Sequence, residues 1–174
     1  MSQSGTKLVV ALGGLALVLG AISWWYRFEA AHRATLYWGP QAAELILEPG
    51  QVEALALLPA IESESEADNS LSELGGEYRV ASRHDLTDAR GTVHLRHALT
   101  SDRNYRWNHS AQAPASWRWA LRFYDDDRQL VVLFTADLAT LGHLPSNAPT
   151  VQSVSCAPMS ETLQQYFTAL GLSD

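Results

Sequence analysis

The sequence holds a single cysteine, Cys156. It therefore cannot form an internal disulfide framework or a cysteine-based structural zinc site. Lysine is almost absent too: Lys7 is the only one, and the other eleven bases are arginines. Eleven glycines and seven prolines in 174 residues are too few for a collagen-like or low-complexity chain. The chain has no HExxH helix, no Gly-x-Ser-x-Gly elbow and no phosphate-binding glycine loop, so no familiar catalytic set is legible. The net charge of −7 excludes a general nucleic-acid binder.

Hydrophobic residues make up 47% of the chain, enough for a folded core and too many for wholesale disorder. The longest uncharged run is Leu8–Tyr26, nineteen residues between Lys7 and Arg27. As a helix it would rise about 28 Å, close to the ~30 Å hydrocarbon layer of a bilayer. Trp24, Trp25 and Tyr26 crowd one end, where aromatic rings favour the headgroup region. Residues 1–33 are therefore expected to be a membrane anchor with its juxtamembrane segment, spanning at 8–26. The expected partner of this stretch is the bilayer, with the following domain on the extracytoplasmic side. A cleaved secretory signal ending near Ala21-Ile22-Ser23 is the rival reading.

Residues 34–174 form one expected domain. Thr35–Trp38 reads as a short strand from its aromatic and β-favouring residues. Pro40 opens a helix that Pro49-Gly50 ends, and Val52–Leu58 follows as a buried strand. Strand, helix and strand here make a βαβ-like unit. Residues 60–77 are rich in acids and serine, with no base, and read as a solvated loop. Tyr78–Leu86 is an expected strand, although its alternation is imperfect. Ala89–Ser101 is an expected helix, capped by Thr87 or Asp88, with Leu95, Ala98 and Leu99 facing the core.

Trp117, Trp119, Leu121 and Phe123 alternate with polar residues and should share a buried face. The polar turn Asp125-Asp126-Asp127-Arg128 leads into Leu130–Phe134, making a β-hairpin. Val151–Cys156 suits a last short strand. Ser160 is the expected N-cap of a C-terminal helix carrying Leu163, Tyr166, Phe167 and Leu170 inward, with Gly171 at its end. The fold class expected is α+β: an N-terminal transmembrane helix, then a mainly antiparallel sheet covered by two longer helices.

Charge is unevenly spread. Residues 34–77 carry nine acids and no base, whereas residues 78–122 carry eight arginines and only three acids. The arginines are interleaved with aromatics, and Arg96, Arg103, Tyr105, Arg106 and Trp107 are the candidate binding residues. Guanidinium forks bind carboxylates and phosphates bidentately, and aromatic faces stack. The competing expectation is that these arginines pair internally with the acidic 44–77 region.

His94 and His97 are the candidate metal ligands, neighbours at i and i+3 on a helix. Two imidazoles fill half a tetrahedral shell, and no third ligand stands near them in sequence. No cofactor is implied. Cys156, between Val154 and Met159, reads as a packed thiol, and Asp125–Asp127 as a turn rather than a cation site. The function expected is a non-catalytic binding or interaction module, engaging another membrane or envelope protein or a second copy of itself. The alternatives are a hydrolase or metal-dependent enzyme built on His94 and His97, and a secreted binding protein.

Overall fold

A computed structural model of the chain describes residues 3–30, 33–59, 78–107, 116–144 and 150–172, with side chains described from residue 12 to 25 and from residue 33 onward within these ranges. The acidic loop expected at 60–77 lies outside the described residues. The chain divides into two compact units, residues 1–33 and 34–174.

The first unit is built on the helix α1, Gln3–Ala30. Among the described residues no helix is long and apolar enough to cross a membrane. This corrects the expected span at 8–26. The transmembrane part of the fold class, the single-pass location and the extracytoplasmic orientation fall with it.

The second unit is α+β. Its six strands are β1 (Gln51–Pro59), β2 (Tyr78–Asp85), β3 (Trp119–Asp125), β4 (Arg128–Phe134), β5 (Thr140–His143) and β6 (Gln152–Ser155). They form one sheet in the order β2-β1-β3-β4-β5-β6, with every pairing antiparallel. Its helices are α2 (Arg33–Trp38), α3 (Pro40–Leu47), α4 (Thr92–Leu99) and α5 (Ser160–Ala169). The βαβ-like unit expected near the start of the domain is absent from this antiparallel order.

Thr35–Trp38, expected as a strand, is helical. Ala34 and Trp38 are buried and Tyr37 is half-buried, a spacing of i, i+3 and i+4 that a strand would split between two faces. Core contact thus overrides the β preference of the aromatics. Gly39, at φ 77°, turns the chain from α2 into α3, and Pro40 takes the first turn as expected.

The main core lies between the helices and one sheet face. Val52, Ala54, Leu121, Phe123, Val132 and Phe134 face Ile46 of α3, Leu95 and Leu99 of α4, and Leu163 and Phe167 of α5. The opposite face has its own smaller cluster of Leu55, Leu57, Ala120, Leu133 and Trp117. Trp117 was expected beside Trp119 in the main core. It precedes the first residue of β3 and packs instead on the far face. There a Cβ on Gly142 would come within 2.7 Å of its ring.

A bulge explains the imperfect alternation of β2. Ala56 pairs with Ser82 and Leu57 with Val80, so Ala81 is an extra residue. One inserted residue moves the side chains that follow to the other face. Arg83 and Asp85 therefore share the face of Glu53.

The caps also differ from expectation. Helix α4 starts after Gly91, at φ 98° with no side-chain cap. Thr87 is instead occupied by Asp85, whose Oδ1 accepts from the Thr87 amide at 2.9 Å and its hydroxyl at 2.6 Å. Helix α5 starts one residue early: Ser160 is its first residue, and its hydroxyl donates back to the Ala157 carbonyl at 3.0 Å. Its end is as expected, with Gly171 at φ 72° and the Leu172 amide returning to the Phe167 carbonyl at 2.9 Å.

Candidate binding surface

Three segments distant in sequence meet in one aromatic cluster. Helix α2 supplies Tyr37 and Trp38, the segment after α4 supplies Tyr105 and Trp107, and the end of β5 supplies His143. Tyr37 is central: its ring centroid is 4.7 Å from His143, 5.0 Å from Trp38 and 6.0 Å from Trp107, each edge to face. Tyr105 and Trp107 stand 4.8 Å apart. Edge-to-face contacts at these distances are the favoured aromatic geometry.

Hydrogen bonds tie the cluster to the backbone. Tyr37 Oη donates to the Gln152 carbonyl at 2.8 Å. Trp38 Nε1 donates to the Leu99 carbonyl at 2.8 Å, which also accepts from Tyr105 Oη. Trp107 Nε1 donates to the Asp102 carbonyl at 3.2 Å. The carboxylate of Asp102 accepts from the Ala34 amide, anchoring α2 to the short 3-10 turn Asp102–Asn104.

Local backbone decides which side chains face outward. Tyr105 is extended, at φ −122° and ψ 150°, so neighbouring side chains point to opposite sides. Tyr105 is buried, Arg106 is exposed and Trp107 returns half-buried. The Arg106 amide donates to the Ser155 carbonyl at 2.9 Å, laying this segment along β6.

Burial sets the protonation of the groups beneath. His143 is only 2% exposed, and desolvation holds its imidazole down to about 4. Its Nε2 lies 3.2 Å from the Tyr37 carbonyl, and its Nδ1 is buried without a partner. The Tyr37 and Tyr105 hydroxyls are pushed well above the usual phenol range by desolvation. Cys156 is buried, its thiol raised by desolvation to about 12 and its Sγ donating to the Leu138 carbonyl at 3.2 Å. At neutral pH these groups are all uncharged.

The candidates from sequence separate under this geometry. Arg103, Arg106 and the exposed part of Trp107 reach the surface, joined by Tyr37. Tyr105 belongs to the core, so its expected contact role is corrected: its ring is covered and its hydroxyl engaged. Arg96 is half-buried on α4, with its Nε shielded and unpartnered. His94 and His97 both stand exposed on α4. Among the described residues no group of three His, Cys, Asp or Glu side chains is placed to hold a metal ion.

The internal pairing expected of the arginines is met in part. Arg83 and Arg122 reach Glu53 at 3.6 and 3.7 Å, and Arg128 bridges Glu44 at 3.6 Å and Asp125 at 2.9 Å. Arg103 and Arg106 make no ion pair among the described residues. Tyr37, Trp38 and His143 were missed from sequence. The only local signal for the first two was the helical spacing of Ala34 and Trp38; nothing local marked His143. No protein-family model, curated protein or solved structure matches this chain.

Proposed function

We propose that residues 34–174 are a non-catalytic interaction module whose contact surface is the patch of Arg103, Arg106, Trp107 and Tyr37. The observation that carries this reading is the contrast among the arginines. Arg83 and Arg122 share Glu53, whereas Arg103 and Arg106 are exposed and make no ion pair among the described residues. They stand in the same segment as Trp107, which with Tyr37 is anchored by two backbone acceptors. Two arginines beside two half-buried aromatics combine the residue types that dominate interface energetics. Rigid rings and fixed backbone reduce the ordering cost of binding.

The partner is a protein segment carrying carboxylates. Guanidinium forks pair bidentately with carboxylates, and the aromatic pair of the same surface offers an apolar footing. The buried chemistry beneath supports a binding role over a catalytic one. Cys156 is held as a thiol and His143 as a neutral imidazole, both shut away from the surface. Hydrogen exchange in the presence of a Glu-rich peptide tests the reading. Protection is expected at residues 33–38 and 102–107; protection confined to other segments contradicts it.

A further inference from the structure

We propose that the carboxylate-bearing segment received by the patch of Arg103, Arg106, Trp107 and Tyr37 is residues 62–68 of a second copy of this chain. The inference rests on the reading of that patch as the contact surface and names its partner.

The two sides are complementary in charge. Residues 60–77 carry six acids, Glu62, Glu64, Glu66, Asp68, Glu73 and Glu77, and no base. Four of them fall at every second position from 62 to 68. An extended chain turns alternate residues to one side, so such a run offers a single file of carboxylates about 7 Å apart. Ile61 adds an apolar side chain at its head, a match for the aromatic pair. On the receiving side, Arg103 and Arg106 are exposed and make no ion pair among the described residues. Opposite charge on two surfaces steers their encounter and fixes their register.

The order of the strands points to a second copy as the source of the acids. The acidic segment joins β1 to β2, where Pro59 pairs with Tyr78, and β2 is one edge of the sheet. The patch lies along β6, the other edge. There the Arg106 amide donates to the Ser155 carbonyl at 2.9 Å, and Tyr37 Oη to the Gln152 carbonyl at 2.8 Å. Four strand spacings separate β1 from β6, roughly 19 Å. Glu62 stands three residues past Pro59, and its backbone reaches only about 11 Å from it at full extension. The whole run from 62 to 68 therefore meets the patch from a neighbour and not from its own chain. The contact is head-to-tail, the β2 flank of one copy against the β6 flank of the next.

Sedimentation equilibrium of the full chain at low and high salt tests the proposal. The wild type should show a mass above the monomer that falls as salt rises. Glu62→Gln/Glu64→Gln/Glu66→Gln/Asp68→Asn should weaken association at least tenfold, and so should Arg103→Ser/Arg106→Ser. An equimolar mixture of the two variants should associate again, since one keeps the patch and the other keeps the acids. A monomeric wild type overturns the proposal, as does association that both variants leave unchanged. A mixture that stays monomeric while the wild type binds a Glu-rich peptide overturns it too, and leaves the reading of the patch standing; loss of that peptide as well overturns both. Should the acid-neutral variant fail to fold, a synthetic 60–77 peptide that leaves wild-type association undiminished overturns the proposal alone.

Discussion

His143 is stacked edge to face against Tyr37, ring centroids 4.7 Å apart, while its Nε2 meets the carbonyl of the same tyrosine at 3.2 Å. One residue of α2 thus covers the imidazole with its ring and satisfies it with its backbone. The neutral tautomer protonated at Nε2 fits this arrangement, donating to the carbonyl. A second proton would sit on Nδ1, which is buried with no acceptor.

Stability should therefore fall in mild acid. An unfolded histidine titrates near about 6.5, and His143 in the fold near about 4. Between these values the unfolded chain binds a proton that the folded one refuses, so stability drops as pH falls from about 6.5 to about 4. The difference corresponds to roughly 3 kcal/mol. Asp85 and Asp137, both lowered by hydrogen bonds from threonine, act in the same sense but below their ordinary range near 3.8. Urea denaturation across pH 4–7 should show this slope, and His143→Gln should flatten it.

Glu53 bridges two arginines at nearly equal distance, so exposure decides which matters. Arg122 is 17% exposed and Arg83 is 50% exposed. A surface pair contributes about 0–1 kcal/mol, whereas breaking a buried one leaves an uncompensated charge. Double-mutant cycles should give a coupling above about 1 kcal/mol for Glu53 with Arg122, and less than half of that with Arg83.

Gly142 is the point at which Trp117 and Val151 close over the second sheet face. A Cβ there would stand 2.7 Å from atoms of each. Gly142→Ala should shift the Trp117 ring and cost about 1–3 kcal/mol, the usual penalty of overpacking. Denaturant melts measure the cost, and tryptophan emission in the folded state reports the displaced ring.

Much of the sheet was legible because its strands carry their own pattern. The β3–β4 hairpin followed from alternation in 119–123 and the aspartate turn, and β1 from an apolar run bounded by Pro49-Gly50 and Pro59. The terminal helix was equally plain, since Leu163, Tyr166 and Phe167 repeat at helical spacing. What escaped depended on contacts far along the chain. Trp117 leaves the alternation because a glycine on β5 makes room for it. Arg83 joins Glu53 because of a bulge at Ala81 that no local residue announces. The surface was legible in its arginines and Trp107, but its platform was not. Tyr37 becomes central only once α2 is a helix, and the burial of Ala34 and Trp38 decides that against local propensity. The apolar run at 8–26 is the widest departure: its uncharged length and its aromatic end suit a membrane span, yet among the described residues no helix is long and apolar enough to cross one.

The most direct test of the proposed function is a fluorescence-anisotropy titration of residues 34–174 against a labelled Glu-rich peptide and its Gln-substituted counterpart. The Glu peptide should bind, weaken as salt rises and bind at least tenfold more tightly than the Gln peptide. The double variant Arg103→Ser/Arg106→Ser should lose that preference while keeping the wild-type melting temperature. Equal binding of the two peptides, or an undiminished preference in the double variant, would contradict the account.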